Sequence, residues 1–298
     1  MAMQSRYFAV QEVVPGVYAA LAVPGQGAWS NAGFVDLGKG ILVFDTMFTP
    51  GAGRDLRAVA EAVTGKPVRW VVNSHRDYDH YLGNQAFSDV DIISTRKTRE
   101  VMAQRTPAFI DLVRTQHASF LQKFRGRIAS ETDPLRRAEL TQEYDEHAAL
   151  AAARDELVPV YPSLLFDRTL ILHGEARRAE LHCFGHMHTE SDVVLYLPED
   201  RVLFTGDVVQ VGYHPVLRCG VPAEWVAFMS EVLALHVRWV VPGHGPVGSR
   251  DDLELMNRYV REIREWAAGS KPVPEPFRRW KAGEVLEFNL EYLRQLEG

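Results

Sequence analysis

The chain has 298 residues, 46% hydrophobic and 24% charged, with a formal net charge of −6. That is the composition of an ordinary globular protein with apolar mass for one large core, and the negative balance with dispersed basic residues excludes a basic nucleic-acid binder. Two cysteines, Cys183 and Cys219, exclude a disulfide framework; the start MAMQSRYFAV carries no secretory h-region and no apolar run is bilayer-length, so a cytoplasmic protein without a membrane partner is expected.

From about residue 13 to 93 the pattern is strand-rich. VYAALAV is followed by the turn-prone PGQGAWSNAG, then by GFVDLG and GILVFDT, two strands joined by a tight turn at Gly38-Lys39-Gly40. Residues 54–63 carry apolar side chains at helical spacing, and Gly65 with Pro67 stops that helix. RWVVNS reads as a buried strand by its β-branched run, and DIIST as a short one. Residues 96–157 change character: Ala, Leu, Arg, Glu and Gln dominate, which predicts two or three helices with a break near Asp133-Pro134. Strands return in RTLILHG, RAELHCF, DVVLYLP and RVLFTGDVV. AEWVAFMSEVLALH is an amphipathic helix, RWVVPG a last strand, and helices follow to the C-terminus. The alternation predicts an α/β (α+β) architecture of two mixed sheets with helices outside. We expect a single domain over 1–298, with a helical insertion at about 96–157 and a C-terminal helical segment at about 250–298.

The segment NSHRDYDH places His75, Asp77, Asp79 and His80 directly after a buried strand. A strand end followed by a loop lets a scaffold aim several side chains at one point, and imidazole with carboxylate suits zinc, iron, manganese or cobalt. A polar loop starting a helix, with Asp79 as its cap, is the plainer alternative. Three further strand ends repeat the pattern with a nearby glycine: RAELHCFGHMHTESD presents His186 and His188, RVLFTGDVV presents Asp207, and RWVVPGHGP presents His244. Glycine permits the sharp bends and close approaches of a crowded site. The repetition favours a metal centre over separate satisfied core groups.

In these motifs the sequence resembles the metallo-β-lactamase-fold hydrolase superfamily. That family's His-x-His-x-Asp-His motif corresponds to His75-x-Asp77-x-Asp79-His80, and its later ligands lie in contexts like 185–189, 205–207 and 242–245. The likeness covers about residues 13–247. It implies a four-layered αββα sandwich with the site at one edge of the sheets. It also implies one metal on His75, Asp77 and His188, a second on Asp79, His80 and His244, and Asp207 bridging them with a water or hydroxide. The departure is Asp77, where the family usually has histidine; a carboxylate there is similar to di-iron members, so iron or manganese stand beside zinc as candidates, and Asp77 could also fail to ligate. His186 is assigned a supporting rather than ligating place.

The activity implied is hydrolysis of a small ester, thioester, lactone or phosphoester by a hydroxide bridging two divalent ions, whose water is acidified from about 15.7 toward 7. Asp79 would orient that oxygen or accept its proton, and Tyr213 or His214 would donate to the developing oxyanion. Asp207 stands where zinc β-lactamases have Cys or Ser, which argues against efficient β-lactam turnover. The partner expected is a small-molecule substrate; Phe109, Phe120, Phe124 and Tyr144 could cap the cleft or form a homodimer face. Two other classes remain: an iron-dependent, sulfur dioxygenase-like oxidoreductase, prompted by Asp77, and a non-catalytic binding protein, disfavoured by the complete ligand set.

Overall fold

The computed structural model describes residues 5–217 and 222–297. β1 (Phe8–Val14), β2 (Val17–Ala22), β3 (Ala32–Asp36), β4 (Ile41–Phe44), β5 (Val68–Val72), β6 (Asp91–Thr95) and β7 (Leu164–Phe166) form one sheet in sequence order. Its first four strands pair antiparallel, and β4 to β7 pair parallel. β8 (Thr169–His173), β9 (Arg178–Cys183), β10 (Val193–Leu197), β11 (Val202–Gly206), β12 (Trp239–Pro242) and β13 (Gly248–Ser249) form the second, also in sequence order. There only β11 and β12 run parallel.

Between the sheets lies an apolar layer that includes Val35, Phe44, Leu181, Leu195 and Phe204. The outer face of the first sheet packs Phe34, Val43 and Val71 on α1 (Pro50–Thr64), through Leu56, Val59 and Ala60. The outer face of the second packs Leu203 and Val240 on α5 (Pro222–Ala234) and α6 (Arg250–Ala267), through Trp225, Tyr259 and Ile263. Helix, sheet, sheet and helix therefore make four layers, the expected αββα order. Buried strands in the parallel half read as continuous apolar runs because both faces are covered.

α2 (Tyr78–Tyr81) follows β5, and α3 (Arg96–Ser130) and α4 (Pro134–Ala152) lie between β6 and β7. The helix break falls where Asp133 accepts from the amides of Leu135 and Arg136 as an N-cap, with proline next. The two helices pack through Met102, Ile110 and Leu150 on Phe48, in the loop after β4, and on Tyr81 of α2. α7 (Glu275–Arg278) and α8 (Gly283–Glu297) complete the chain. Among the described residues no helix is long and apolar enough to cross a membrane.

Some boundaries differ from the sequence reading. α1 begins at Pro50 rather than at 54: Thr49 caps it by accepting from Ala52, and proline suits the first turn even though Gly51 and Gly53 are poor helix formers. β1 extends back to Phe8, although four of its seven residues are exposed and show no clean alternation. β7 and β13 are three and two residues long and carry no period to detect.

Gly83 shows how closely the segment after α2 is packed. A Cβ there would lie 1.9 Å from the carbonyl oxygen of Thr46 and 3.1 Å from Cα of Gly53 on α1, so backbone would have to move. We expect Gly83→Ala to cost about 1–3 kcal/mol of unfolding free energy, seen as a lower urea midpoint at unchanged slope.

Candidate metal centre

The donors sit just beyond the C-terminal ends of β5, β9, β11 and β12. Bonds between loops hold these ends together: Val193 N donates to Ser74 O at 2.7 Å, Gly243 N to Gly206 O at 2.8 Å, and Asn31 N to Gly243 O at 2.7 Å. Gly243 lies so close to the centre that a Cβ on it would fall 2.1 Å from Asp207 Oδ1, which explains glycine before His244. Asn31 Nδ2 donates to the carbonyls of Pro242 and Gly245 and so fixes the loop that carries His244.

All seven sequence-predicted donors come together, in groups whose ligand atoms lie within 4.8 Å of one another. In the group of His75, Asp77 and His188, Asp77 Oδ2 is 3.1 Å from His188 Nε2 and 3.7 Å from His75 Nε2. In the group of Asp79, His80 and His244, Asp79 Oδ2 is 3.4 Å from Nε2 of each histidine. Asp207 faces both: Oδ1 is 3.3 Å from His80 Nε2, and Oδ2 is 3.4 Å from His244 Nε2 and 3.6 Å from His188 Nε2. His186 stays outside, exposed, with its amide donating to Glu224.

A buried carboxylate that the sequence reading missed orients two of the imidazoles. Asp45 accepts from Ser74 N at 2.7 Å, from Ser74 Oγ at 2.7 Å and from His80 Nδ1 at 2.9 Å. With its proton given to Asp45, Ser74 Oγ is left to accept from His75 Nδ1 at 2.8 Å. Both rings therefore turn Nε2 toward the centre, the arrangement that presents a lone pair to a cation. His75 Nε2, His80 Nε2 and Asp207 Oδ1 are all buried without a hydrogen bond. Such atoms are costly unless something satisfies them, and a divalent ion fits the donor set. Arg76, itself buried, pairs with Asp77 and, at 3.0 Å, with Glu190.

Protonation follows from the crowding. Burial opposes charge on every ring, yet at His244 the Asp207 and Asp79 carboxylates outweigh it and push the imidazole up to about 10. Asp79, Asp207 and Asp45 raise His80 well above its ordinary value, and Asp77 and Asp207 raise His188, again against burial. His75 goes the other way, pushed well down by burial and by His80. Asp77 and Asp207 lie below the usual carboxylate range despite burial, held there by histidines, with Arg76 also acting on Asp77.

A cavity of about 1080 Å³ opens over the donors, its walls including Trp29, Leu140, Glu146, Tyr213, Lys281 and Phe288. Tyr213 Oη accepts from Lys281 Nζ at 3.3 Å, and a β-bridge joins the two residues. His214 also lines the cavity, but its Nδ1 meets Tyr259 Oη at 3.2 Å and burial lowers it to about 4. Tyr78 stacks on Phe109 of α3 at 3.7 Å between ring centroids rather than on the cavity. Cys183 is buried with Sγ 3.4 Å from Ser191 Oγ, and Cys219 lies outside the described residues.

Residues 29–244 match the metallo-beta-lactamase superfamily. The chain belongs to that superfamily, and hydrolase is the enzyme class that the match supports. A linear primary-alkylsulfatase of Pseudomonas sp. (strain ATCC 19151) is 24% identical over 245 residues, which is 76% of this chain and 44% of the relative. The chain thus spans less than half of that protein's length. A metallo-beta-lactamase from Erythrobacter litoralis, solved with beta-mercaptoethanol in its active site, superposes with a TM-score of 0.61 at 17% identity, covering 87% of this chain and 99% of that one. A metallo-beta-lactamase from Pontibacter korlensis gives 0.59 at 18%, covering 85% and 99%. At such identities the likeness is one of fold.

Two outcomes follow from this geometry. The raised histidines hold protons at neutral pH that a cation must displace, so metal affinity rises with pH and uptake at pH 7 releases protons, measured by calorimetry in buffers of different ionisation enthalpy. Asp45→Asn keeps the shape but weakens the bonds that orient His75 and His80; we expect metal affinity to fall about 10- to 100-fold in a chelator competition, with the far-UV spectrum unchanged.

Proposed function

We propose that the chain is a dinuclear metal hydrolase that cleaves an ester-type bond of a small molecule. The observation that carries this reading is the convergence of seven donors in adjoining groups, with Asp207 turning one oxygen to His80 and the other to His188 and His244. His75, Asp77 and His188 would hold one cation, Asp79, His80 and His244 the other, and Asp207 would face both. Zinc is the metal we assign, with iron and manganese also suited to imidazole and carboxylate donors. Such cations, when bound, supply Lewis acidity and a nucleophilic hydroxide near neutral pH. Three carboxylates in the donor set make the pair electrically tolerable.

Around that centre the chain's own groups divide the work. Asp79, on the cavity wall, orients the attacking water and accepts its proton at the carboxylate oxygen not turned to His80 and His244. Tyr213 donates from Oη to the oxygen that gains charge, and the ammonium of Lys281 beside it favours that donation. His214, turned to Tyr259, supports the Tyr213 segment. The substrate classes are carboxylic esters, thioesters, lactones and phosphoesters, to which the alkylsulfatase likeness adds sulfate esters. The chain's net charge of −6 fits a small molecule better than a nucleic acid.

The deciding experiment is metal quantification of protein purified without added metal, followed by a panel of these esters. Near two equivalents of zinc, with turnover abolished by chelation and restored by zinc, is expected. An iron chromophore with oxygen uptake would transfer the chain to the oxidoreductase reading prompted by Asp77; no turnover with zinc, manganese or iron would leave a binding protein. In the metal-replete enzyme, Asp79→Asn should lower kcat by on the order of 10²–10⁴. Tyr213→Phe should lower it by on the order of 10², with metal content unchanged in direct assay.

A further inference from the structure

The connection from β2 to β3 passes along the cavity, where Pro24 and Trp29 form part of the wall. Its shape depends on two glycines with left-handed backbone, Gly25 at φ 74° and Gly27 at φ 97°. Their amides point to one acceptor, Glu146 on α4: Gly25 N donates to Oε1 at 2.6 Å and Gly27 N to Oε2 at 2.7 Å. Side chains at both glycines would crowd α4, since a Cβ on Gly25 would lie 3.1 Å from Asp145 Cβ and one on Gly27 3.0 Å from Ala149 Cβ. The next residue, His147, meets Trp29 edge to face at 4.9 Å. Glu146 is 3% exposed, yet it lines the same cavity as the metal donors. The N-cap of α1 also touches the loop, through Thr49 Oγ1 donating to Gly27 O at 2.8 Å.

From this we infer that Glu146 is a positioning residue: its carboxylate clamps residues 23–29 to α4 and so fixes Trp29 as a wall of the substrate pocket. The inference deepens the hydrolase reading and rests on it for the word substrate. Burial pushes the Glu146 acid up to about 7 against the two amide bonds, and in the ionised form it is a strong tie that spans 119 and 121 positions of sequence. Loops without such ties open readily, and a loop ordered before binding spares the substrate that ordering cost. Glu146 acts on ground-state binding through the loop, so its loss falls on KM.

The test compares zinc-loaded full-length protein with Glu146→Ala and Glu146→Gln, using amide hydrogen exchange over residues 23–29 and steady-state hydrolysis of p-nitrophenyl butyrate. In Glu146→Ala, exchange of that segment should quicken by at least about tenfold, while zinc content and exchange in β11 stay unchanged. KM should rise roughly tenfold with kcat within about threefold. Glu146→Gln keeps one acceptor and should fall between; if the alanine variant does not fold, the glutamine variant carries the test. Unchanged exchange in the segment overturns the clamp, and so does faster exchange with KM unaltered. If the unaltered enzyme leaves the ester intact, that counts against the hydrolase reading, while the exchange comparison still decides whether Glu146 holds the loop.

Discussion

The carboxylate of Asp45, buried at the end of β4, accepts three hydrogen bonds from Ser74 and His80, and the rest of the centre is arranged around that fact. It belongs to one strand of the first sheet and grips the loop that leaves the next. Through Ser74 it reaches His75, so one charge sets the tautomer of two imidazoles. Burial alone pushes its acid up, and the bonds from His80 and Ser74 pull the other way. Orientation of this kind is what separates a cluster of polar residues from a set of ligands.

The second sheet adds its donors by geometry more than by charge. β11 and β12 run parallel, so Asp207 and His244 leave the same end, and glycines beside them let the two loops touch. The β9–β10 loop brings His188, while Asp192 accepts from the amides of Met187 and Thr189 to hold its bend. Each donor is thus delivered by an element whose register is fixed by an apolar layer on either side. The chemistry at the edge depends on cores that are mostly aliphatic and aromatic.

Much of this was legible in the sequence because it is local. A strand run followed within a few residues by His or Asp marks a strand end that carries a donor; β5, β9, β11 and β12 all show it, the last three with a glycine between. Asp45 follows the same rule at the end of GILVFDT, yet a single acid there looks like an ordinary turn residue. Glu146 was illegible for a different reason: on a charged helix it reads as a solvated side chain, and its partners lie more than a hundred positions away. Tyr213 and His214 are adjacent in sequence, but only packing against Lys281 and Tyr259 gives them different surroundings.

The carbonyl oxygens of the α2 donors are held by loops that flank β3 and β4: Ser30 Oγ donates to Asp79 O at 2.6 Å and Thr46 N to His80 O at 2.8 Å. Their main chain is thereby moored to the scaffold independently of whatever their side chains hold. Such a socket keeps its form while its contents are exchanged. Which ion such a socket would hold is then set by ligand type, geometry and supply.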